Sequence, residues 1–221
     1  MIKEKDIISI KDLLEIQNLQ IPDYQRPYKW KIKNVNQLID DILFHKDKKG
    51  YRLGTLVLHD DKDNLNIVDG QQRVITIFLL VYALNKYKKL GNKIDFSKFS
   101  FDNQISQNNI IDNYNLIEKR IEEFDNINID FFLTKCEFVK VVIDDVQEAF
   151  QFFDSQNARG KDLEPHDLLK AFHLRDMNNF STETERIKVV EEWEKLESRE
   201  LRNLYANNTR IFGRNGYWSF I

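Results

Sequence analysis

The chain predicts a mixed α+β fold, rich in helix around a small sheet, and three observations carry that expectation. Apolar runs at Tyr51–His59, Leu65–Val68 and Phe138–Ile143 read as strands. Around them apolar residues recur at helical spacing, most clearly at Val35, Leu38, Ile39, Ile42 and Leu43. Only seven Gly and three Pro punctuate 221 residues that are 42% hydrophobic and 31% charged, the composition of a chain that folds and buries a sizeable core.

Taken in order, Ser9 is placed to cap a short helix carrying Leu13, Leu14 and Ile16. Pro22 and Pro27 then break any helix or central strand across Ile21–Trp30, which reads as a loop or extended edge. Asn34 reads as the cap of the next helix. In the strand Tyr51–His59, Gly54 marks a close approach, and the polar turn Asp60–Asn64 leads into Leu65–Val68 as a hairpin. A long buried helix starts near Gly70 and runs to about Lys89, where Gly91-Asn92 ends it. Residues 92–137, rich in Asn and Asp, read as a helical insertion with a helix near Tyr114–Phe124. Phe138–Ile143 is the strongest strand signal in the chain.

Asp145 with Glu148 resembles a capping box for a helix through Phe150, Phe152 and Phe153. After a polar turn at Asn157–Lys161, Pro165 opens a helix containing Asp167 to Leu174, and Thr182 with Glu185 starts another. The expected division is one domain over residues 1–177 and the start of a helical C-terminal region over 178–221. Arg210-Ile211-Phe212 and Tyr217–Ile221 read as the beginning of further structure, because such apolar groups are costly to expose.

The single Cys136 excludes an intramolecular disulfide and any cysteine-cluster metal site. Charges at Lys3–Asp6 interrupt any secretory leader, and the longest apolar run is too short to span a bilayer, so a soluble cytoplasmic protein is expected. The net charge of −3 hides an asymmetry: residues 1–93 carry +5 and residues 94–221 carry −8. A basic first half favours phosphates or nucleic acid, though only mildly.

Three polar clusters stand out from the ordinary helices and strands. The first is Tyr24-Gln25-Arg26-Pro27-Tyr28-Lys29-Trp30, the second Asp69-Gly70-Gln71-Gln72-Arg73, and the third Asn157-Ala158-Arg159-Gly160. Each joins a guanidinium to amides or glycine in a turn beside a regular element, a combination suited to polyphosphate or phosphodiester groups. The second lies where a strand meets a helix, so free N–H groups and the helix dipole favour an anion there. Two roles are open to Asp69: a ligand for a divalent cation, or a cap paired with Arg73 or Arg26. Tyr24, Tyr28 and Trp30 either stack on a base or pack on the core with their polar ends in water. Lys170 either reaches a phosphate or is a solvated helix lysine.

In these motifs, together with Gly54-Thr55-Leu56-Val57-Leu58 and Asp167-Leu168-Leu169-Lys170, the chain resembles the N-terminal domain of GmrSD-type, type IV modification-dependent restriction enzymes. It is similar also to a domain of phosphorothioate-sensing DNA defence proteins. The likeness spans about residues 5–177, interrupted by the insertion. It implies a ParB/sulfiredoxin-like α+β core with a small mixed sheet that binds and hydrolyses a nucleoside triphosphate with Mg²⁺. On that resemblance Asp69, Gln72 and Arg73 are the catalytic candidates, with Asp69 near the metal or water. Gln25, Arg26, Gly70, Gln71, Arg73, Asn157, Arg159 and Gly160 would hold the nucleotide.

Relatives carry a second, HNH-type nuclease domain, which needs clustered His, Asn and Asp ligands. The four histidines here, His45, His59, His166 and His173, lie in unrelated elements, so no nuclease activity is expected of this chain alone. The expected partners are nucleotide, DNA (modified DNA among the candidates) and an HNH-type domain in cis or on another chain. The alternative is a non-enzymatic module that binds or senses DNA. No Walker-type lysine loop is present, so any phosphate cradle is of another kind.

Overall fold

A computed structural model describes residues 2–22, 25–91, 99, 101, 103–145 and 149, all within one compact unit, Met1–Ala149. The expected boundary at residue 177 and every helix expected beyond residue 149 lie outside the described residues. The fold is α+β: a five-stranded mixed sheet with helices packed on it. The elements are β1 (Ile2–Ser9), α1 (Ile10–Glu15), β2 (Leu19–Gln20), α2 (Ile32–Phe44), β3 (Tyr51–Asp61), β4 (Asn64–Asp69), α3 (Gln71–Lys88), α4 (Gln104–Arg120), a 3₁₀ turn (Ile121–Glu123), α5 (Asn126–Lys135) and β5 (Cys136–Ile143).

The strand order is β1-β5-β3-β4-β2. The expected β3–β4 hairpin forms, antiparallel, with Asp61 opposite Asn64. β5 returns after the helical insertion to lie parallel to β3, Tyr51 opposite Cys136 and Val57 opposite Val141. A parallel neighbour requires such a long crossover, which gives the 92–137 segment its structural purpose. Leu56 and Leu58 of β3, Ile67 of β4 and Phe138 and Val142 of β5 join the helices in one core. Val57, Val141 and Ile143 alternate with them and are buried too, so both faces are covered along the middle of β3 and the end of β5. Burial on both faces is why Phe138–Ile143 reads as a nearly unbroken apolar run.

Ser9 caps α1 as expected: its hydroxyl accepts from Asp12 N–H at 3.1 Å, and Asp12 accepts in return from Ser9 N–H at 2.8 Å. Four expectations shift. β1 and β2 have no strand signal, because β1 (Ile-Lys-Glu-Lys-Asp-Ile-Ile-Ser) is a charged edge paired only with β5, and β2 has two residues. Helix α2 starts at Ile32, and Asn34 is not its cap. Asn34 sits in the first turn, where its Oδ1 accepts from Lys31 N–H at 3.1 Å. Helix α3 stops at Lys88 through Lys89 in the left-handed region, φ +55°, before Gly91 is reached. The described residues of the insertion form two α-helices, α4 and α5, rather than one near Tyr114–Phe124. Cys136 is fully buried, and burial pushes its thiol up to about 12.

The 18-residue α3 has eight consecutive buried residues, Val74 to Val81. A helix apolar on almost every side belongs at the centre of a fold. Its N-terminus is thereby pinned where β4 ends.

Candidate functional site

The second polar cluster forms that junction. Asp69 closes β4 opposite Val57, with Val68 as an extra residue in the ladder, and Gly70 turns the chain into α3 at φ +97°. A Cβ at Gly70 would lie 3.1 Å from Leu56 Cδ1 and 3.2 Å from Thr55 O. Both the left-handed backbone and the close approach to β3 therefore require glycine. The N–H groups of Gln71, Gln72 and Arg73 precede the first intrahelical bond, Val74 N–H to Gly70 O at 3.0 Å. They lie at the positive end of a long helix.

Arg73 folds back across β3. Its Nη1 donates to Leu53 O at 2.7 Å, and Gly54, at φ +125°, leaves the room: a Cβ there would lie 2.9 Å from the Arg73 Cζ and closer still to Nη1. The close approach expected at Gly54 is thus made by this arginine. Asp69 is partly buried beside it. Burial pushes the Asp69 carboxyl above the ordinary range, opposed by Arg73, the Gly70 N–H and Arg26. Among the described residues no ion pair joins Asp69 to either arginine, so both act on it through space. Arg26 is exposed, and among the described residues its guanidinium has no hydrogen bond or ion pair.

The amides do something different from what the sequence suggests. Gln72 is buried; its Oε1 accepts from Lys29 N–H at 2.7 Å and Trp30 N–H at 3.1 Å, while its Nε2 donates to Pro27 O at 3.2 Å. These three side-chain hydrogen bonds all hold the first loop on α3. Gln25 does the same from the other side, its Nε2 donating to Ile67 O at 2.9 Å and Val68 O at 2.8 Å. Gln71 donates through Nε2 to Arg26 O at 3.0 Å, and its buried Oε1 has no partner among the described residues.

Tyr28 is fully buried, so its ring has no face to offer a base; packing in the core is its place. Its hydroxyl accepts from Asn113 Nδ2 at 3.0 Å and lies 2.7 Å from Thr76 Oγ1. Thr76 already donates to Gln72 O at 2.9 Å, which leaves Tyr28 as the donor in that pair. Trp30 is half-buried against the core, its carbonyl accepting from Asn113 Nδ2 at 2.7 Å.

Sequence reasoning missed the residues that hold this loop from the other side. Ser106 accepts from Tyr28 N–H at 2.9 Å, and Asn109 Nδ2 donates to Tyr28 O at 2.7 Å. Ser106, Asn109 and Asn113 are buried at helical spacing on α4, a polar stripe facing the core. That spacing, and a lone Thr76 inside the apolar Val74–Leu84 run, were the available signals. The structure thus brings Gln25, Arg26 and the Asp69–Arg73 turn together and assigns Gln25 and Gln72 a bracing part. Tyr24, Asn157, Arg159, Gly160 and Lys170 lie outside the described residues.

Among the described residues no group of three or more His, Cys, Asp or Glu side chains converges, and no helix is long and apolar enough to cross a membrane. A protein-family model described as GmrSD restriction endonuclease, N-terminal domain, matches residues 10–174. No curated protein matches the chain.

Proposed function

Because the chain belongs to the GmrSD restriction endonuclease N-terminal domain family, and so is a component of a DNA restriction system, we propose that it binds and hydrolyses a nucleoside triphosphate to regulate that system. DNA cleavage would fall to an HNH-type nuclease in cis or on a separate chain. One observation supports the nucleotide reading above the rest. The Gln71 side chain ties the Arg26 backbone to the start of α3, so a guanidinium without a partner among the described residues, a partly buried carboxylate and a helix N-terminus lie together.

In this reading the Gln71, Gln72 and Arg73 N–H groups bind phosphate oxygens, and Arg26 neutralises charge as the phosphoryl group transfers. Asn157, Arg159 and Gly160 would add contacts from the third turn, and Tyr24 a stacking face for the base. The unpartnered Gln71 Oε1 is an acceptor ready for a ligand hydroxyl or amine. Asp69 fits a Mg²⁺ site of the minimal kind, in which one carboxylate is joined by phosphate oxygens and water. Among the described residues its carboxylate is in no ion pair, and its raised pKa reflects a charge that a cation would stabilise. When bound, Mg²⁺, held by Asp69, would supply a Lewis acid that withdraws charge from the phosphates. Gln72 and Gln25 keep the first loop, and with it Arg26, in register.

The test is phosphate release from GTP, ATP and other triphosphates with Mg²⁺. The informative variants are Asp69→Asn and Arg26→Ala, since Arg26 braces nothing through its side chain among the described residues. Turnover by the parent protein should exceed that of either variant at least tenfold. Equal rates in all three would end the proposal.

A further inference from the structure

A cluster of cations at one end of the sheet has no part in the nucleotide site. Strand register sets Tyr51 opposite Cys136 and Arg52 opposite Glu137, which brings the loop after α2 against the end of α5. A Cβ on Gly50 would lie 3.5 Å from Lys135 O. Lys46, Lys48, Lys49 and Lys135 are thereby gathered from two distant chain segments, all exposed. Among the described residues none of these four is in an ion pair. Arg52 extends the patch while holding Glu137 at 3.3 Å, and Asp47 is the one acid within the loop.

We propose that this end of the sheet docks the phosphodiester backbone of duplex DNA. Like charges are brought together here on a rigid base, the paired ends of β3 and β5, in a protein whose net charge is −3. Five cations against the two acids Asp47 and Glu137 leave a local excess of positive charge, complementary to a polyanion. Beside the loop lysines stands one large apolar side chain, Phe44, which is 79% exposed, and within Phe44–Gly50 it is the only apolar residue. One aromatic suits contact with a sugar or a groove edge, whereas a protein or lipid partner would need a wider apolar area. Phe44 stands edge-on to His45, ring centroids 5.1 Å apart, and His45 stacks on Tyr51 at 4.5 Å. The exposed ring is therefore braced on the first residue of β3. Arg73, bonded to Leu53 O on the same strand, places the patch next to the Asp69–Arg73 turn.

Binding of a labelled duplex to the full chain, followed by anisotropy from about 50 to 200 mM salt, tests this. Four phosphate contacts predict a log–log salt slope of roughly −3.6, or about a 100-fold loss of affinity across that range. Replacing Lys46, Lys48, Lys49 and Lys135 together by Ala should weaken binding at least tenfold at the lowest salt and remove most of the slope. Replacing the exposed Lys5, Lys11 and Lys62 should change neither. Parental affinity and slope in the fourfold variant, or no duplex binding by the parent protein, would overturn the proposal. So would a dependence on the four lysines of binding to anionic vesicles but not of binding to the duplex. Phosphate release by the fourfold variant should stay at the parental rate, so failure here and failure of the nucleotide reading are separately visible.

Discussion

Replacing Gln72 by Leu separates a bracing role from a chemical one. Leu matches the shape, so little cavity forms, but three hydrogen bonds go: those from Lys29 N–H and Trp30 N–H and that to Pro27 O. Lys29 is exposed and its N–H can turn to water, whereas Pro27 is buried and Trp30 half-buried. Two backbone groups are then left unpaired, at about 1–3 kcal/mol each, so the loss should be about 3 kcal/mol. For a chain of this size that lowers the melting temperature by about 6–12 °C. Thermal and urea unfolding measure it, and phosphate release well below the transition shows what the folded variant can still do. A melting temperature within about 1 °C of the parent would refute the bracing role. Lost turnover with unchanged stability would return Gln72 to the chemistry.

Two further outcomes are expected. Gly54→Ala forces a side chain into a backbone region close to glycine-only and against the Arg73 guanidinium, so it should cost about 2–4 kcal/mol and be partly rescued by Arg73→Ala, read by urea unfolding. Asp69 has a raised pKa, so its contribution to stability is complete below the ordinary value of 3.8 and is lost as pH rises through the higher folded value. Asp69→Asn should therefore melt above the parent at neutral pH, with the gap closing as pH falls through the carboxylate range; a gap independent of pH would contradict this.

Much of the fold was legible because its signals are local. The period of Val35, Leu38, Ile39 and Ile42 marks a helix with one buried face, and the apolar run at Phe138–Ile143 marks a strand buried on both. β1 was hidden because an edge strand carries charges on its exposed positions. The site was legible as a place and not as a set of roles. Gly70 and Gly54 announced close approaches, but only packing decided that Arg73 fills the space at Gly54.

By itself, then, the sequence determined the family, the strand–turn–helix that carries Asp69–Arg73, and the excess of basic residues in the first half. Tertiary structure alone decided which polar side chains are spent on the fold. Gln72 holds the first loop because that loop's backbone groups need partners that no strand or helix ladder supplies, while Gln25 ties the loop to the β4 carbonyls and Tyr28 fills the core. Arg26 is left exposed and Asp69 half-buried, and that division of labour depends on contacts between residues more than forty positions apart.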